Sequence, residues 1–213
     1  MTGKVLLSTA YFPPAEYFSL IAHTEEVLIE RHENYHRQTY RNRCIIMGAN
    51  GILPLIVPVL RGSFHKTAIS ELRTDETKRW RDLHLRGITA AYATAPYFEY
   101  YYDLIRDVIT APYTFLIDLN SAALAAMCEA IGLTARIKFT DRFEAEGSRD
   151  NDYRYAIIPK KPSGLTGHAD QPYTQVFGER HGFIPRLSII DMLLNNGPGT
   201  RALLRGSLEA DNC

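Results

Sequence analysis

The sequence predicts an α/β protein in which a small, mostly parallel sheet from the N-terminal third is packed by helices of the middle and C-terminal parts. Apolar runs at residues 5–7 and 27–29 flank a helix-like stretch, which is the order of a parallel crossover unit. Long segments with apolar residues at three- and four-residue steps follow only after residue 73. These observations favour a strand-rich beginning followed by a helical middle.

The N-terminal elements follow from apolar runs and prolines. Residues 4–9 predict a buried strand, which Pro13 and Pro14 end because proline cannot continue a strand ladder. Pro14 also suits the start of a helix over about residues 15–23. Residues 27–30 predict the second strand, and the loop after it lies where open α/β sheets bind ligands.

Strand-like segments continue to about residue 70. Residues 44–47 and 52–60 predict a third and a fourth strand, joined by a hairpin turn at residues 49–51. Pro54 and Pro58 predict an edge position for the fourth strand. The remaining predictions here are a loop over residues 61–66 and a short strand over residues 67–70.

The middle of the chain predicts three helices. The first covers about residues 74–94 and ends before Pro96, and the second covers residues 97–109. Residues 113–117 predict an extended segment. The third helix begins at a cap, Asn120 or Ser121, and Gly132 ends it.

The C-terminal part predicts little regular structure. Residues 136–139 suggest a strand, and Ser188 caps a short helix that Asn196 and Gly197 end. Residues beyond 209 predict a frayed end. The complete prediction is a single domain over residues 1–213: a strand-rich part (1–72), a helical part (73–135) and a closing segment (136–213) with a mobile loop at about 141–170.

The composition predicts a globular protein without a charge-driven partner. Lys+Arg and Asp+Glu both number 24 in 213 residues, so the net charge is zero, which argues against nucleic acid as a partner. Cys44, Cys128 and Cys213 have no metal or redox spacing. No signal-peptide core and no apolar run of membrane length is found, so we expect a cytoplasmic protein with no membrane span.

Residues 32–43 form the segment that most resembles a ligand site. They include no aliphatic side chain and carry two histidines, three arginines, a glutamate and several amides and hydroxyls. These groups bind anions, sugars and nucleotides, whereas ordinary loops are shorter and richer in Gly, Pro, Ser and Asp. The alternative is a solvated connection that carries charge by chance.

His32 and His84 are the candidate catalytic residues. The imidazole of His32 suits general acid or base catalysis, and the alternative is a loop histidine bonded to a backbone carbonyl. His84 shares a predicted helix face with Trp80, so it either faces the site or is a satisfied core histidine. His32 and His36 would bind zinc only if that segment were helical, and its pattern is not, so we predict no metal and no cofactor.

Arg41 and Arg43 would project from the same face of an extended segment. Two guanidinium groups on one face suit a phosphate or carboxylate ligand. The pair therefore predicts recognition of a nucleotide sugar or another phosphorylated donor. The alternative is a pair of arginines that holds Glu30, Glu33 or Asp118.

The other candidates are polar or aromatic side chains that would orient a substrate or form a stacking wall. Asp118 ends an apolar run, where a carboxylate binds ligands or caps the following helix. Glu16 and Asp191 are interpreted as structural. The candidate substrate-binding residues are Tyr11, Asn34, Gln38, Thr39, Arg41, Asn42, Arg43, Trp80, Tyr92 and Asp118.

Several sequence strings occur here together, in a characteristic order and spacing. They are YFPPxEYF at 11–18, HENYxxQTYRNR at 32–43, LxVPV at 55–59, WxxxH at 80–84, APYFEYY at 95–101 and LSIIDML at 187–193. As a set they resemble the WbqC-like family of bacterial proteins. The resemblance implies a role in the biosynthesis of O-antigen and other surface polysaccharides, and it implies no settled reaction.

We therefore expect a transferase that moves a small acyl, aminoacyl or glycosyl group onto an activated sugar in bacterial surface-glycan biosynthesis. The absence of nicotinamide, P-loop and hydrolase motifs makes those classes less favoured. The alternative is a non-catalytic nucleotide-sugar-binding or scaffold protein of the same pathway. The sequence leaves a homodimer open.

Overall fold

The computed structural model describes residues 3–60, 67–147, 149–159 and 161–208. Its strands are β1 (Lys4–Ser8), β2 (Glu26–Glu30), β3 (Arg43–Gly48), β4 (Gly51–Ile56), β5 (Val59–Leu60), β6 (Arg73–Thr74) and β7 (Arg136–Phe139). Its α-helices are α1 (Ala15–Ala22), α2 (Trp80–Tyr92), α3 (Phe98–Thr110), α4 (Leu116–Ile131), α5 (Gly178–His181), α6 (Ile189–Asn196) and α7 (Thr200–Gly206).

The parallel sheet has the strand order β1-β2-β7, which confirms the predicted fold class. Lys4 lies opposite Glu26 in the first pair of strands, and Glu26 lies opposite Arg136 in the second. The helix α1 makes the crossover between β1 and β2, as the apolar runs and Pro14 indicate. The third strand comes from far along the chain, and its four residues are all exposed, as suits an edge strand.

The predicted third and fourth strands form a separate antiparallel hairpin instead of joining this sheet. β3 and β4 pair from Arg43 with Ile56 to Gly48 with Gly51. Among the described residues β4 pairs only with β3, which agrees with the edge position that Pro54 indicates. The strand predicted at 67–70 is wrong, because Ile69–Glu71 is a 3-10 turn. The loop predicted at 61–66 lies outside the described residues.

Helix α4 begins earlier than its predicted caps, Asn120 and Ser121. Residues 116 and 117 are helical, so the predicted extended segment is too long. Buried apolar residues already recur from Leu116, and its backbone N–H donates to the carbonyl of Leu72 at 2.8 Å instead of needing a side-chain cap. Gly132 ends the helix in the left-handed conformation at φ 76°, as predicted.

The C-terminal part holds the Pro13–Pro14 loop against the rest of the core. Ser188 caps α6 by accepting a hydrogen bond from the N–H of Ile190, and its hydroxyl donates to the carbonyl of Phe12 at 2.8 Å. The N–H of Ser188 donates to Ile45 in β3 at 2.7 Å. One serine thus ties together the loop after β1, the hairpin and α6.

Candidate functional site

Polar and charged side chains collect at the carboxyl ends of the three parallel strands, where open α/β sheets bind ligands. Ser8 and Glu30 end β1 and β2, and Thr140 follows β7. Glu33 and Arg41 come from the polar segment after β2, and Arg154 comes from the closing segment. We call these six residues, all of them buried, the edge cluster: Ser8, Glu30, Glu33, Arg41, Thr140 and Arg154.

Arg41 is held by a carboxylate of its own segment. Its Nε and Nη2 donate to the two oxygens of Glu33 at 2.8 and 2.6 Å, and Nη2 also donates to Ser8 Oγ at 2.6 Å. Both members of the ion pair are at most 3% exposed. This bidentate geometry is the strong form of the arginine–carboxylate pair. Of the two interpretations of Arg41, the arrangement matches the one in which it holds Glu33.

Arg154 forms the second buried pair of the edge cluster. Its Nη1 donates to Glu30 at 3.1 Å, and its Nη2 donates to Asp152 at 2.6 Å. The hydroxyl of Thr140 donates to the other oxygen of Glu30 at 2.9 Å. Burial raises the pKa of Asp152, but the hydrogen bonds from Arg154 outweigh that effect and hold it below its usual value. The closing segment is thus fixed onto the sheet by charge.

A small cavity of about 20 Å³ remains between Ser8, Tyr40, Arg41 and Arg154. That volume accommodates about one water molecule. The ring of Tyr155 lies near both arginines, with its centroid 5.9 Å from the guanidinium carbon of Arg41 and 5.7 Å from that of Arg154. In this conformation the edge cluster is closely packed and leaves no room for a ligand larger than water. We call the exposed residues of the polar segment beside it the rim: His32, Asn34, His36, Arg37 and Gln38.

His32 lies on this rim and is exposed. Its Nε2 is 3.1 Å from the carbonyl oxygen of Thr140, and its backbone N–H donates to Glu30 at 2.8 Å. A carbonyl oxygen only accepts, so Nε2 carries the proton and Nδ1 is the basic nitrogen of the neutral ring. The hydrogen bond is the one expected of a loop histidine, and it also fixes the direction of a basic nitrogen.

The exposed part of the rim comes from the middle of the polar segment. Asn34, His36, Arg37 and Gln38 are all exposed, and the His36 ring meets the Tyr155 ring edge-on at 5.8 Å. Gln38 has a left-handed backbone at φ 58°, a conformation that is uncommon for a residue other than glycine. The rim therefore offers amide, imidazole and guanidinium groups to solvent.

The residues that follow are built into the fold. Thr39 caps the 3-10 turn Tyr40–Asn42, and Asn42 is buried and donates to the carbonyl of Val57 at 2.8 Å. Because Arg41 lies in that turn while Arg43 begins β3, the segment is not extended here. The condition for the two guanidinium groups to share a face is therefore absent.

His84 and its aromatic neighbours form a buried group away from the rim. The Nδ1 of His84 is 3.0 Å from the hydroxyl of Tyr11, and the Trp80 ring lies edge-on to the imidazole at 5.1 Å. Burial lowers the pKa of His84 to about 4, against a smaller raising effect of the Ile56 backbone. The ring is therefore neutral at pH 7. The arrangement matches the interpretation of His84 as a satisfied core histidine.

Tyr92 is fully buried and donates to Asp191, at 2.8 Å, while Tyr173 donates to the other oxygen of Asp191 at 2.6 Å. Burial raises the pKa of Asp191, against the hydrogen bonds from Tyr173, Tyr92 and Gln175 that lower it. Asp118 stands apart from both groups, exposed in the first turn of α4, where a carboxylate favours the positive end of the helix dipole.

Residues 9–161 match the model of the WbqC-like protein family. The chain belongs to that family. An uncharacterized protein of Mycobacterium tuberculosis is 28% identical to it over 234 aligned residues, which cover 96% of this chain and 98% of the relative. No solved structure matches the chain significantly. The region of this WbqC-like protein that matches the family includes every residue of the edge cluster except Ser8.

Two members of the edge cluster cannot be predicted as site residues from their local sequence. Glu30 ends an apolar run like many strand-end residues, and Arg154 lies in a charged loop without a recognisable pattern. They meet only because β7 brings the closing segment back to β2. Among the described residues of this WbqC-like protein, no three His, Cys, Asp or Glu side chains are grouped as metal ligands, and no helix has both the length and the apolarity to cross a membrane.

Proposed function

We propose that this WbqC-like protein is a group transferase that acts on an activated sugar bound at the rim of the edge cluster, in bacterial surface-glycan biosynthesis. The observation that supports this most is His32. Its exposed ring is oriented by the Thr140 carbonyl, so its basic Nδ1 has a fixed direction beside a polar rim. The resemblance to proteins found with surface-polysaccharide machinery supports an activated sugar as the substrate class.

In the proposed reaction the acceptor hydroxyl or amine loses its proton to Nδ1 of His32 as it attacks the carbon of the transferred acyl, aminoacyl or glycosyl group. The bond from that carbon to the phosphate-bearing leaving group breaks, and the leaving group departs with the bonding electrons. The proton on the imidazolium then returns to the leaving group or to solvent.

In this reaction the edge cluster would be a rigid structural support for the rim and would not contact the substrate directly. Arg41 and Arg154 already hold carboxylates, so a phosphate bound to them would have to displace Glu33 or Glu30. Recognition of the anionic donor therefore falls to Arg37 and His36, which are exposed on the rim. Asn34 and Gln38 would orient the sugar hydroxyls.

The proposal is tested by thermal shift and calorimetry with a panel of nucleotide sugars and acyl donors, followed by turnover assays on any ligand that binds. His32→Ala is expected to lower turnover about 100-fold or more while binding is kept, because a general base contributes that much. Arg37→Ala is expected to weaken binding of the donor. His181→Ala is the matched control, since His181 also places Nε2 on a backbone carbonyl, that of Ala49 at 3.1 Å.

A non-catalytic nucleotide-sugar-binding or scaffold protein is the second candidate, and the closed edge cluster favours it. The cavity accommodates about one water, and both buried arginines have their partners. For this function we expect binding that depends on Arg37 but no turnover with any donor and acceptor pair. A protein that binds no nucleotide sugar, acyl donor or sugar phosphate would contradict both candidates.

A further inference from the structure

A second cavity, of about 400 Å³, lies at the opposite end of the parallel strands, where β2 and β7 begin. Its walls come from the end of α1, from residues 133–135 before β7, and from α7. Its lining includes the apolar residues Ile21 and Leu133 and the two arginines Arg201 and Arg205. A cavity of this size accommodates a small metabolite.

Arg201, which lines this cavity, makes no ion pair with any described residue. Four other buried or half-buried arginines each hold a carboxylate: Arg41, Arg81, Arg154 and Arg186. Arg43 shares with Arg201 a buried Nε that has no hydrogen-bond partner among the described residues. Arg201 is also partly buried, but its Nε is inaccessible to solvent and makes no hydrogen bond with any described residue. A donor that is withdrawn from water without an acceptor is unfavourable. The described residues of the cavity therefore leave Nε of Arg201 without a hydrogen-bond acceptor.

Arg205 and Thr24 add to this deficit of acceptors. Arg205 is four residues after Arg201 on α7, so both side chains lie on the same helix face. The hydroxyl of Thr24 is buried and has no hydrogen-bond partner among the described residues. The lining includes one carboxylate, that of Glu25, which is exposed. Two guanidinium groups therefore face one acidic side chain.

The hydrogen bonds at the helix ends near this cavity are made by backbone groups and by His23. In the last turn of α4 the carbonyls of Glu129 and Cys128 accept from the N–H groups of Gly132 and Leu133, at 3.0 and 2.8 Å. At the end of α1, the N–H of His23 donates to Leu20, and its ring contacts Ser19 O at 2.8 Å. None of these hydrogen bonds uses the guanidinium group of Arg201 or Arg205, so both groups remain available to a ligand.

We propose that the cavity binds a small phosphate monoester, with the phosphoryl group between Arg201 and Arg205. Two forked donors one turn apart match the several oxygens of a tetrahedral anion better than a single carboxylate. The organic substituent lies against Ile21 and Leu133. This site is separate from the rim of the edge cluster, because the two lie at opposite ends of β2.

The test is isothermal titration calorimetry at constant ionic strength with inorganic phosphate, glycerol 3-phosphate and, as the uncharged control, glycerol. We expect both phosphates to bind, the ester more tightly, and glycerol not to bind. Arg201→Gln should weaken binding about tenfold or more, since it removes a charge-assisted contact. Arg180→Gln, which changes an exposed arginine on α5, should leave binding unchanged.

Arg205→Gln tests the second donor of the same site. It removes the other charge-assisted contact while Arg201 is kept, so it should also weaken binding about tenfold, and because Arg205 is exposed it should not lower the thermal midpoint. The proposal is overturned if neither phosphate binds, or if Arg201→Gln binds as tightly as the native protein. Binding that appears only after Glu209→Gln and Asp211→Asn would mean that the chain's own carboxylates fill the cavity, which would overturn it as well.

Discussion

Arg41 and Glu33 lie eight residues apart in one polar segment, and both are almost completely removed from water. In such a pair the attraction between the charges offsets the cost of removing them from solvent, so neither charge is tolerated alone. The pair also reaches Ser8, the last residue of β1. It therefore fixes where the polar segment lies at the edge of the sheet.

Removing one member of this pair should cost far more than removing both. We expect Arg41→Met or Glu33→Leu alone to lower the free energy of unfolding by about 3–5 kcal/mol, because each leaves a buried charge unpaired. The double variant should cost much less than the sum. Urea denaturation of the four proteins gives the coupling energy.

The matched control is the exposed pair of Arg106 with Asp103, whose side chains are 43% and 72% exposed. Asp103→Ala should change stability by less than about 1 kcal/mol. Additive effects of Arg41→Met and Glu33→Leu would mean that the two buried charges do not depend on each other, contrary to the geometry.

The burial of His84 makes the stability of the folded protein depend on pH. Its pKa is lowered from 6.5 to about 4, so the unfolded chain binds a proton in this interval while the folded protein does not. The stability that His84 contributes is therefore lost as the pH falls from about 6.5 to 4. The free energy of unfolding falls by about 1.4 kcal/mol per pKa unit, or by about 3 kcal/mol over the interval.

His84→Gln should remove this loss, since glutamine can still bond the hydroxyl of Tyr11 and does not titrate. Denaturant midpoints measured between pH 7 and 4 should fall less steeply in the variant than in the native protein. His181→Gln serves as the comparison and should follow the native curve. A variant curve parallel to the native one would assign the pH dependence to other groups.

The sequence locates these residues better than it identifies their partners. Arg41 lies in an evident polar segment, but three carboxylates, Glu30, Glu33 and Asp118, are plausible partners until the local turn is known. Asp118 is excluded only because α4 begins at Leu116 and leaves it in an exposed first turn. Arg154 is not predictable at all, because its contact with Glu30 spans more than a hundred residues.

At the scale of elements, the turn after α6 is set by one close approach. Gly197 has φ 51°, and a Cβ there would lie 2.5 Å from Cδ1 of Tyr97. Gly197→Ala should therefore lower the free energy of unfolding by about 2–4 kcal/mol through backbone strain and overpacking. Thermal denaturation measures this effect.

Gly199→Ala is the control for this substitution, two residues further on. Its φ is −67°, and an added Cβ would meet nothing closer than the Cβ of Asn196 at 4.0 Å. It should be neutral or slightly stabilising. If both substitutions have equal effects, the Tyr97 ring can move aside and the close approach does not determine the turn.

The bounds of a helix are predictable where the apolar periodicity and the capping or terminating residues indicate the same positions. Ser188 and Gly197 bound α6 as their residue types indicate, and Gly132 ends α4. The start of α4 is not predictable from its polar residues, because Asn120 uses its side chain to hold Thr9 and the Arg41 carbonyl. Helix α7 escapes prediction since it begins at Thr200, directly after two glycines and a proline.

At the scale of the whole molecule, Glu26 connects all three strands of the sheet. It lies in the central strand and bonds Lys4 of β1 and Lys138 of β7, at 2.7 and 2.8 Å. The hydrogen bond from Lys138, then that from Lys4, lowers the pKa of Glu26 to about 2. Its contribution is present above about pH 4.5 and is lost as the pH falls towards 2.

Glu26→Gln should thus lower the free energy of unfolding at pH 7. It should also make that free energy depend less on pH between pH 4.5 and 2. Urea denaturation across that range is the measurement, and Glu129→Gln, an exposed glutamate on α4, is the control. Equal curves for the two variants would show that the lysines do not hold the central strand through this carboxylate.

The position of β7 has a consequence for the nascent chain. About 110 residues separate Glu26 from its partner Arg136. During translation one side of β2 therefore stays unpaired until β7 has been synthesised and has left the ribosome. Long waits of this kind slow productive folding and leave strand edges open to wrong partners. Synthesis halted before residue 136 should yield an aggregation-prone fragment, and its rescue depends on restoring this strand.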